Sequence, residues 1–111
     1  MIIAEVDGEI AGNCSFSPVG RKTRVRHRCV IGIALYEKYW GLGIGKALLE
    51  LLLEKAAECE YEQAELDVVS RNERAIALYE GFGFTEVGSR PHAMKHKDGT
   101  YDDDIIMVKQ L

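Results

Sequence analysis

Residues 39–58, YWGLGIGKALLELLLEKAAE, set Gly41, Gly43 and Gly45 at alternate positions directly ahead of a leucine-rich stretch. Glycine weakens a helix, so three of them crowded against the start of one need another reason. A helix start offers unpaired N–H groups and a partial positive charge, and both suit a phosphate. Glycines let the backbone approach such a ligand closely and take positive φ without strain. Spacing excludes two phosphate loops. Counting the dinucleotide pattern G-x-G-x-x-G from Gly41 and Gly43 puts Lys46 where the last glycine should be. In the nucleoside-triphosphate loop, Gly45-Lys46 should precede Ser or Thr but precedes Ala47, and the glycine due five positions before Gly45 is Trp40. A tight structural turn is the other use for such glycines.

The elements that must position this loop are legible as β-β-β-α-β-α-β-β. MIIAEVDGEIAGNCSFS reads as two strands joined at Asp7-Gly8, and Pro18 and Gly20 end the second. RKTRVRHRCVIGIALY begins polar, and its β-branched run from Cys29 to Leu35 suggests a strand buried on both faces. The helix after the glycines carries Ile44, Ala47, Leu48, Leu51 and Leu52 at i, i+3, i+4 spacing. AELDVVS is a short strand. Ser70 and Glu73 then offer a capping box to a helix in ERAIALYEGFGF, with Gly81 just past its end. The final segment gives two strands around Asp98-Gly99. The strand–helix–strand middle implies a parallel pair and the end hairpins imply antiparallel pairing. The expected fold class is therefore α/β (α+β): a mixed, mostly antiparallel sheet with a central parallel pair and two flanking helices.

At 111 residues the chain is the size of a single domain, residues 1–111. A net charge of −4 argues against a nucleic-acid binder, so RKTRVRHR (21–28) reads as a solvated hairpin with His27 on an exposed strand edge. No apolar run approaches the roughly 20 residues of a membrane span, and MIIAEVDGEI lacks a signal-peptide layout. Cys14, Cys29 and Cys59 fit neither a disulfide framework nor a zinc site and read as buried or half-buried thiols. The expectation is a soluble cytoplasmic protein with no metal, membrane or nucleic-acid partner.

Three segments together resemble the GCN5-related N-acetyltransferase superfamily. WGLGIG is similar to its pyrophosphate loop, [QR]-x-x-G-x-[GA], at Gly43 and Gly45, with Trp40 in place of Gln or Arg. NERAIALYEGFGF meets every fixed position of N-x-x-A-x-x-x-Y-x-x-x-G-F: Asn72, Ala75, Tyr79, Gly83 and Phe84. The closing AMKHKDGTYDDDIIMVKQL looks like the terminal hairpin of many bacterial members. The resemblance implies the acyl-CoA N-acyltransferase fold and acetyl-CoA as co-substrate. The activity implied is acetyl transfer to a primary amine of a small molecule or peptide, by direct attack in a ternary complex. The family usually opens with a further strand and two helices that help form the acceptor pocket, and this sequence starts at what resembles its second strand. An N-terminally short domain, completed as a homodimer, is the expectation.

The resemblance implies four tasks. Backbone N–H groups across Leu42, Gly43, Ile44, Gly45 and Lys46, entered through Trp40 and Gly41, would hold the pyrophosphate, with the Lys46 side chain as added charge. Ile33, Ala34 and Leu35 would pair with the pantetheine arm, and a backbone N–H there would stabilise the oxyanion, a contact worth about 3–4 kcal/mol. Asn72 and Ala75 would face the coenzyme. Tyr79, a phenol of ordinary pKa ≈ 10, would protonate the departing thiolate. The base for the acceptor amine is least legible: Glu37 is the candidate, beside Glu65, Asp67 and His27, and YDDDI (101–105) could draw a cationic amine or merely flank a turn. A coenzyme-binding module without turnover and a plain structural α/β domain are the competing readings. Calorimetry with acetyl-CoA and a screen for thiol release separate the three.

Overall fold

The Asp7-Gly8 pair does what its composition dictates, both residues taking positive φ (50° and 82°) to close a two-residue hairpin. The computed structural model describes residues 1–111, and these group into two compact units, Met1–Ala64 with Leu111, and Glu65–Gln110. The chain runs β1 (Ile2–Val6), β2 (Glu9–Pro18), β3 (Arg28–Leu35), α1 (Ile44–Glu58), β4 (Gln63–Val69), α2 (Glu73–Gly81), β5 (Thr85–Lys95) and β6 (Tyr101–Gln110). The fold class is the one expected: mixed α+β, mostly antiparallel, with a parallel pair and two helices.

In the first unit β1, β2 and β3 pair antiparallel in that order, Ile2 opposite Cys14 and Cys14 opposite Ile33. One face of this sheet, with Ala11, Cys14, Cys29 and Ile31, is buried together with Leu48, Leu49, Leu52, Leu53 and Ala56 of α1. Each buried leucine contributes roughly 1.5–3 kcal/mol, enough to offset the ~1 kcal/mol that Gly45 costs in the first helical turn. Two expectations change here. The buried stripe of α1 includes Leu49, Leu53 and Ala56, whereas Ala47 and Leu51 are exposed. And β3 is not buried on both faces: Cys29 and Ile31 face inward while Val30, Gly32 and Ala34 are exposed. Small and β-branched residues favour a strand whichever face is covered, so composition alone could not tell.

Gly12 is fixed by close approach. A Cβ there would stand 2.3 Å from the Ala34 carbonyl oxygen and 3.0 Å from the Leu35 Cα. Backbone cannot yield as a flexible side chain can, so Gly12→Ala is expected to cost about 1–3 kcal/mol, the range for overpacking. Urea melts should show a lower midpoint at unchanged slope; an unaltered midpoint would mean that β3 moves aside freely.

The β2–β3 connection is not the hairpin extension expected of RKTRVRHR. It folds into a 3₁₀ turn at Thr23–Val25. His27 is half-buried ahead of β3, and its carbonyl accepts the N–H groups of Glu62 and Gln63 at 2.9 and 3.1 Å. Cys14 and Cys29 are buried, but Cys59 is exposed, because it caps the C-terminus of α1. There Glu60 takes a left-handed φ of 68°, with its N–H on the Ala57 carbonyl at 3.0 Å and that of Tyr61 on Ala56 at 3.2 Å. This is a Schellman cap with a side chain where glycine is usual. Left-handed backbone costs an L-residue roughly 1–2 kcal/mol, whereas glycine's extra freedom when unfolded costs about 0.5–1. Glu60→Gly should therefore raise the melting temperature by about 3 °C, for a net gain near ~0.5 kcal/mol; a fall would show that the Glu60 side chain stabilises more than its backbone strains.

In the second unit β4, β6 and β5 lie in that order, and Thr85 to Lys95 pairs antiparallel with Val108 to Tyr101. The N-cap of α2 is Asn72, whose Oδ1 accepts the Ala75 N–H at 3.2 Å. Ser70 is not the cap; its N–H bonds the Asp103 carbonyl at 2.8 Å. Gly81 is the last helical residue, and the left-handed position falls to Gly83 (φ 94°). Gly83 donates to Glu80 at 3.0 Å and Phe84 to Tyr79 at 3.1 Å, a second Schellman cap. Its hydrophobic contact is the edge-to-face pair of Tyr79 and the buried Phe84, centroids 5.8 Å apart.

Candidate functional site

Within the first unit, β3 leads into a 3₁₀ turn at Glu37–Tyr39 and then the glycine loop. Glu9 on β2 pins that turn, its Oε2 accepting from Lys38 Nζ and the Tyr39 hydroxyl, both at 2.8 Å. The hydrogen bond from Lys38, then that from Tyr39, holds the Glu9 carboxyl below its ordinary range. Nothing local signals this anchor, because its partners lie 29 and 30 residues away. Trp40 closes the connection by donating its indole N–H to the Leu35 carbonyl at 3.1 Å. Thus the residue that departs from the [QR] pattern ties the loop to the end of β3.

Gly43 is the N-cap of α1 at φ 80°, with no side chain supplying a cap. The first intrahelical bond runs from the Ala47 N–H to the Gly43 carbonyl at 3.1 Å, which leaves the N–H groups of Ile44, Gly45 and Lys46 ahead of the ladder. An added Cβ at Gly43 would meet nothing within 4 Å. The approach is open, and the backbone conformation is what requires glycine there. Gly41 also takes a left-handed φ (81°), and Leu42 is exposed. A bare, positively polarised helix start with space before it fits a diphosphate. Leu35 pairs with Gly12, Ala34 with Asn13 and Ile33 with Cys14, and Glu37 is exposed one residue beyond Tyr36.

The second unit holds Asn72, Ala75 and Tyr79 on α2. With its Oδ1 on the cap, Asn72 keeps its amide N–H₂ as donor. Tyr79 is half-buried, and that burial pushes its phenol above the ordinary value, keeping it protonated at neutral pH. Asp67 is exposed and 3.4 Å from Arg90 Nη1; Glu65 is half-buried on the same strand. The YDDDI carboxylates are all engaged within this unit: Asp102 with Arg71 and His96, Asp103 with the His92 N–H at 2.9 Å, and Asp104 with Arg90 at 3.6 Å. Sequence reasoning missed Asp102, the one buried charged residue of the chain.

Comparison with known proteins adds the deciding observation. Residues 1–84 match the Acetyltransferase (GNAT) family. The chain belongs to the GNAT acetyltransferase family. It is 36% identical over 117 residues to an N-alpha-acetyltransferase of Sulfurisphaera tokodaii, covering 98% of this chain and 68% of that one. To the [ribosomal protein bS18]-alanine N-acetyltransferase of Escherichia coli K12 it is 37% identical over 79 residues, 71% of this chain and 53% of the relative. Among solved structures, yncA from Salmonella typhimurium with its cofactor acetyl-CoA superposes with a TM-score of 0.88 at 26% identity, covering 98% of this chain and 62% of that one. This GNAT chain thus spans between about half and two thirds of the length of these relatives.

Proposed function

We propose that this GNAT chain is an acetyl-CoA-dependent N-acetyltransferase that acts on a primary amine of a small molecule or peptide. The observation that carries the reading is the glycine-capped start of α1, whose amides precede the helical ladder in a chain of this family. Acetyl-CoA supplies the activated thioester carbonyl. Backbone amides of Leu42 to Lys46, reached past Trp40 and Gly41, hold its diphosphate, and the Lys46 side chain adds charge. Ile33, Ala34 and Leu35 present main-chain groups to the pantetheine arm, one N–H serving the oxyanion. Asn72 and Ala75 face the coenzyme from the first turn of α2, and Tyr79 donates the proton that the departing thiolate takes up. Glu37 is the exposed carboxylate that sequence offers as base.

Transfer is direct, without an acyl-enzyme, within a single domain spanning residues 1–111, and the compartment is the cytoplasm. A homodimer is supported by Ile3, Ile10 and Val30, apolar side chains exposed on β1–β3. The test is a screen of amines for free-thiol release, using a peptide with N-terminal alanine, a peptide lysine and free amino acids. Release with at least one is expected. Coenzyme uptake with no release from any of them would defeat the assignment of turnover.

A further inference from the structure

Asp102 lies at the start of β6, 8% exposed. Its Oδ2 receives two contacts at 2.6 Å, from Arg71 Nη2 and from His96 Nε2. These partners come from the β4–α2 connection and from the β5–β6 turn. His96 is a third exposed, whereas Asp102 is covered. The hydrogen bond from His96, and after it that from Arg71, hold the Asp102 carboxyl below its ordinary range, so it is ionised and accepts only. An ionised carboxylate on Nε2 selects the tautomer that carries its proton there, as buried carboxylates do for the histidines they orient. Nδ1 then holds the free lone pair, on an imidazole that solvent and solutes reach. Arg71 directly precedes Asn72, so the group stands at the N-terminal end of α2 within this unit.

Resting on the transfer reading above, we propose that His96, oriented by Asp102 and Arg71, is the base that takes the proton from the acceptor amine at Nδ1. The amine nitrogen forms its bond to the acetyl carbonyl carbon and its proton passes to Nδ1. The carbon–sulfur bond breaks, and the thiolate takes the proton of Tyr79. His96 is the catalytic residue; Asp102 and Arg71 are positioning residues. The charged groups facing the imidazole are Asp102 of β6 and Arg71, whose charge also reaches Asp98 in the turn. Protonating Nδ1 removes the base, so kcat/KM falls as pH drops through the imidazole's titration.

Two measurements on the full chain test this. Nitrogen-15 spectra of histidine-labelled protein, assigned with His96→Gln, should show His96 at pH 7.5 protonated on Nε2 and bare on Nδ1, and Asp102→Asn should abolish that preference. A proton on Nδ1 in the wild type overturns the proposal without reference to turnover. With the N-terminal-alanine peptide or L-methionine sulfone as acceptor, His96→Gln should lower kcat about 100-fold and remove the acid limb of the pH profile, leaving acetyl-CoA affinity within about twofold. Asp102→Asn should lower kcat roughly 10- to 100-fold, as loss of an orienting partner does. Undiminished kcat in His96→Gln overturns the proposal alone; absence of turnover in the wild type overturns it together with the transfer reading.

Discussion

Acetyl-CoA should bind Gly43→Val at least 100-fold more weakly than the unaltered chain. The substituted Cβ meets no neighbour, so the effect does not arise from crowding. It arises from φ: at 80° a β-branched residue is strongly disfavoured, and the helix start must rearrange to relieve it. Moving the N-cap turns the amides of Ile44, Gly45 and Lys46 away from a common point. Each hydrogen bond to a charged group contributes about 1.5–3 kcal/mol, so loss of one or two is a factor of roughly 100, at 1.4 kcal/mol per decade. Calorimetry reads the ratio directly. Thermal melting should show only a small change, since the five buried residues of α1 begin at Leu48, beyond the affected turn. An unchanged affinity would mean that the glycine serves only the turn.

The second large effect is expected in rate. Tyr79→Phe should lower kcat about 1000-fold, within the range for loss of a positioned proton donor, and leave the KM for acetyl-CoA nearly unchanged. The ring stays, so its edge-to-face packing on Phe84 and the cap closed by Gly83 survive, and stability should hold within about 0.5 kcal/mol. The sign of the pH dependence follows from burial. The phenol's pKa is raised, so the donor form persists through the neutral and mildly alkaline range, and the rate is lost only as pH climbs through that elevated value. Tyr79→Phe should erase this alkaline limb. A variant with wild-type kcat would return Tyr79 to its packing role alone.

What could be read in advance was local. The Asp7-Gly8 and Asp98-Gly99 turns need only neighbours, and the N-x-x-A-x-x-x-Y-x-x-x-G-F run is legible because its fixed positions punctuate one helix. Asn72 caps the start of that helix, Tyr79 accepts the last Schellman bond, Gly83 takes the left-handed position and Phe84 packs back on Tyr79. The stripe of α1 was misplaced because leucines at 48, 49, 51, 52 and 53 fit several faces, and only packing chooses among them. β3 was misjudged because composition does not report which face is covered.

The site beyond its glycines was hidden for another reason. Glu9 meets Lys38 and Tyr39 only through the β1–β2–β3 register. His96 meets Asp102 only because β5 bulges at residues 91–93, where four residues of β5 oppose two of β6 between Arg90↔Asp104 and Met94↔Asp102. His92 takes a positive φ of 53° in that bulge, and its N–H is held by Asp103. No local propensity encodes such an offset.

The coenzyme assignment rests on main-chain amides at the start of α1, and amide chemical shifts report on them one by one. Titrating nitrogen-15-labelled chain with coenzyme A should move the Ile44, Gly45 and Lys46 amide resonances strongly, whereas pantetheine, which lacks the diphosphate, should leave them in place. Should coenzyme A bind while those three signals stay still, the diphosphate sits elsewhere and the glycine loop is not its cradle.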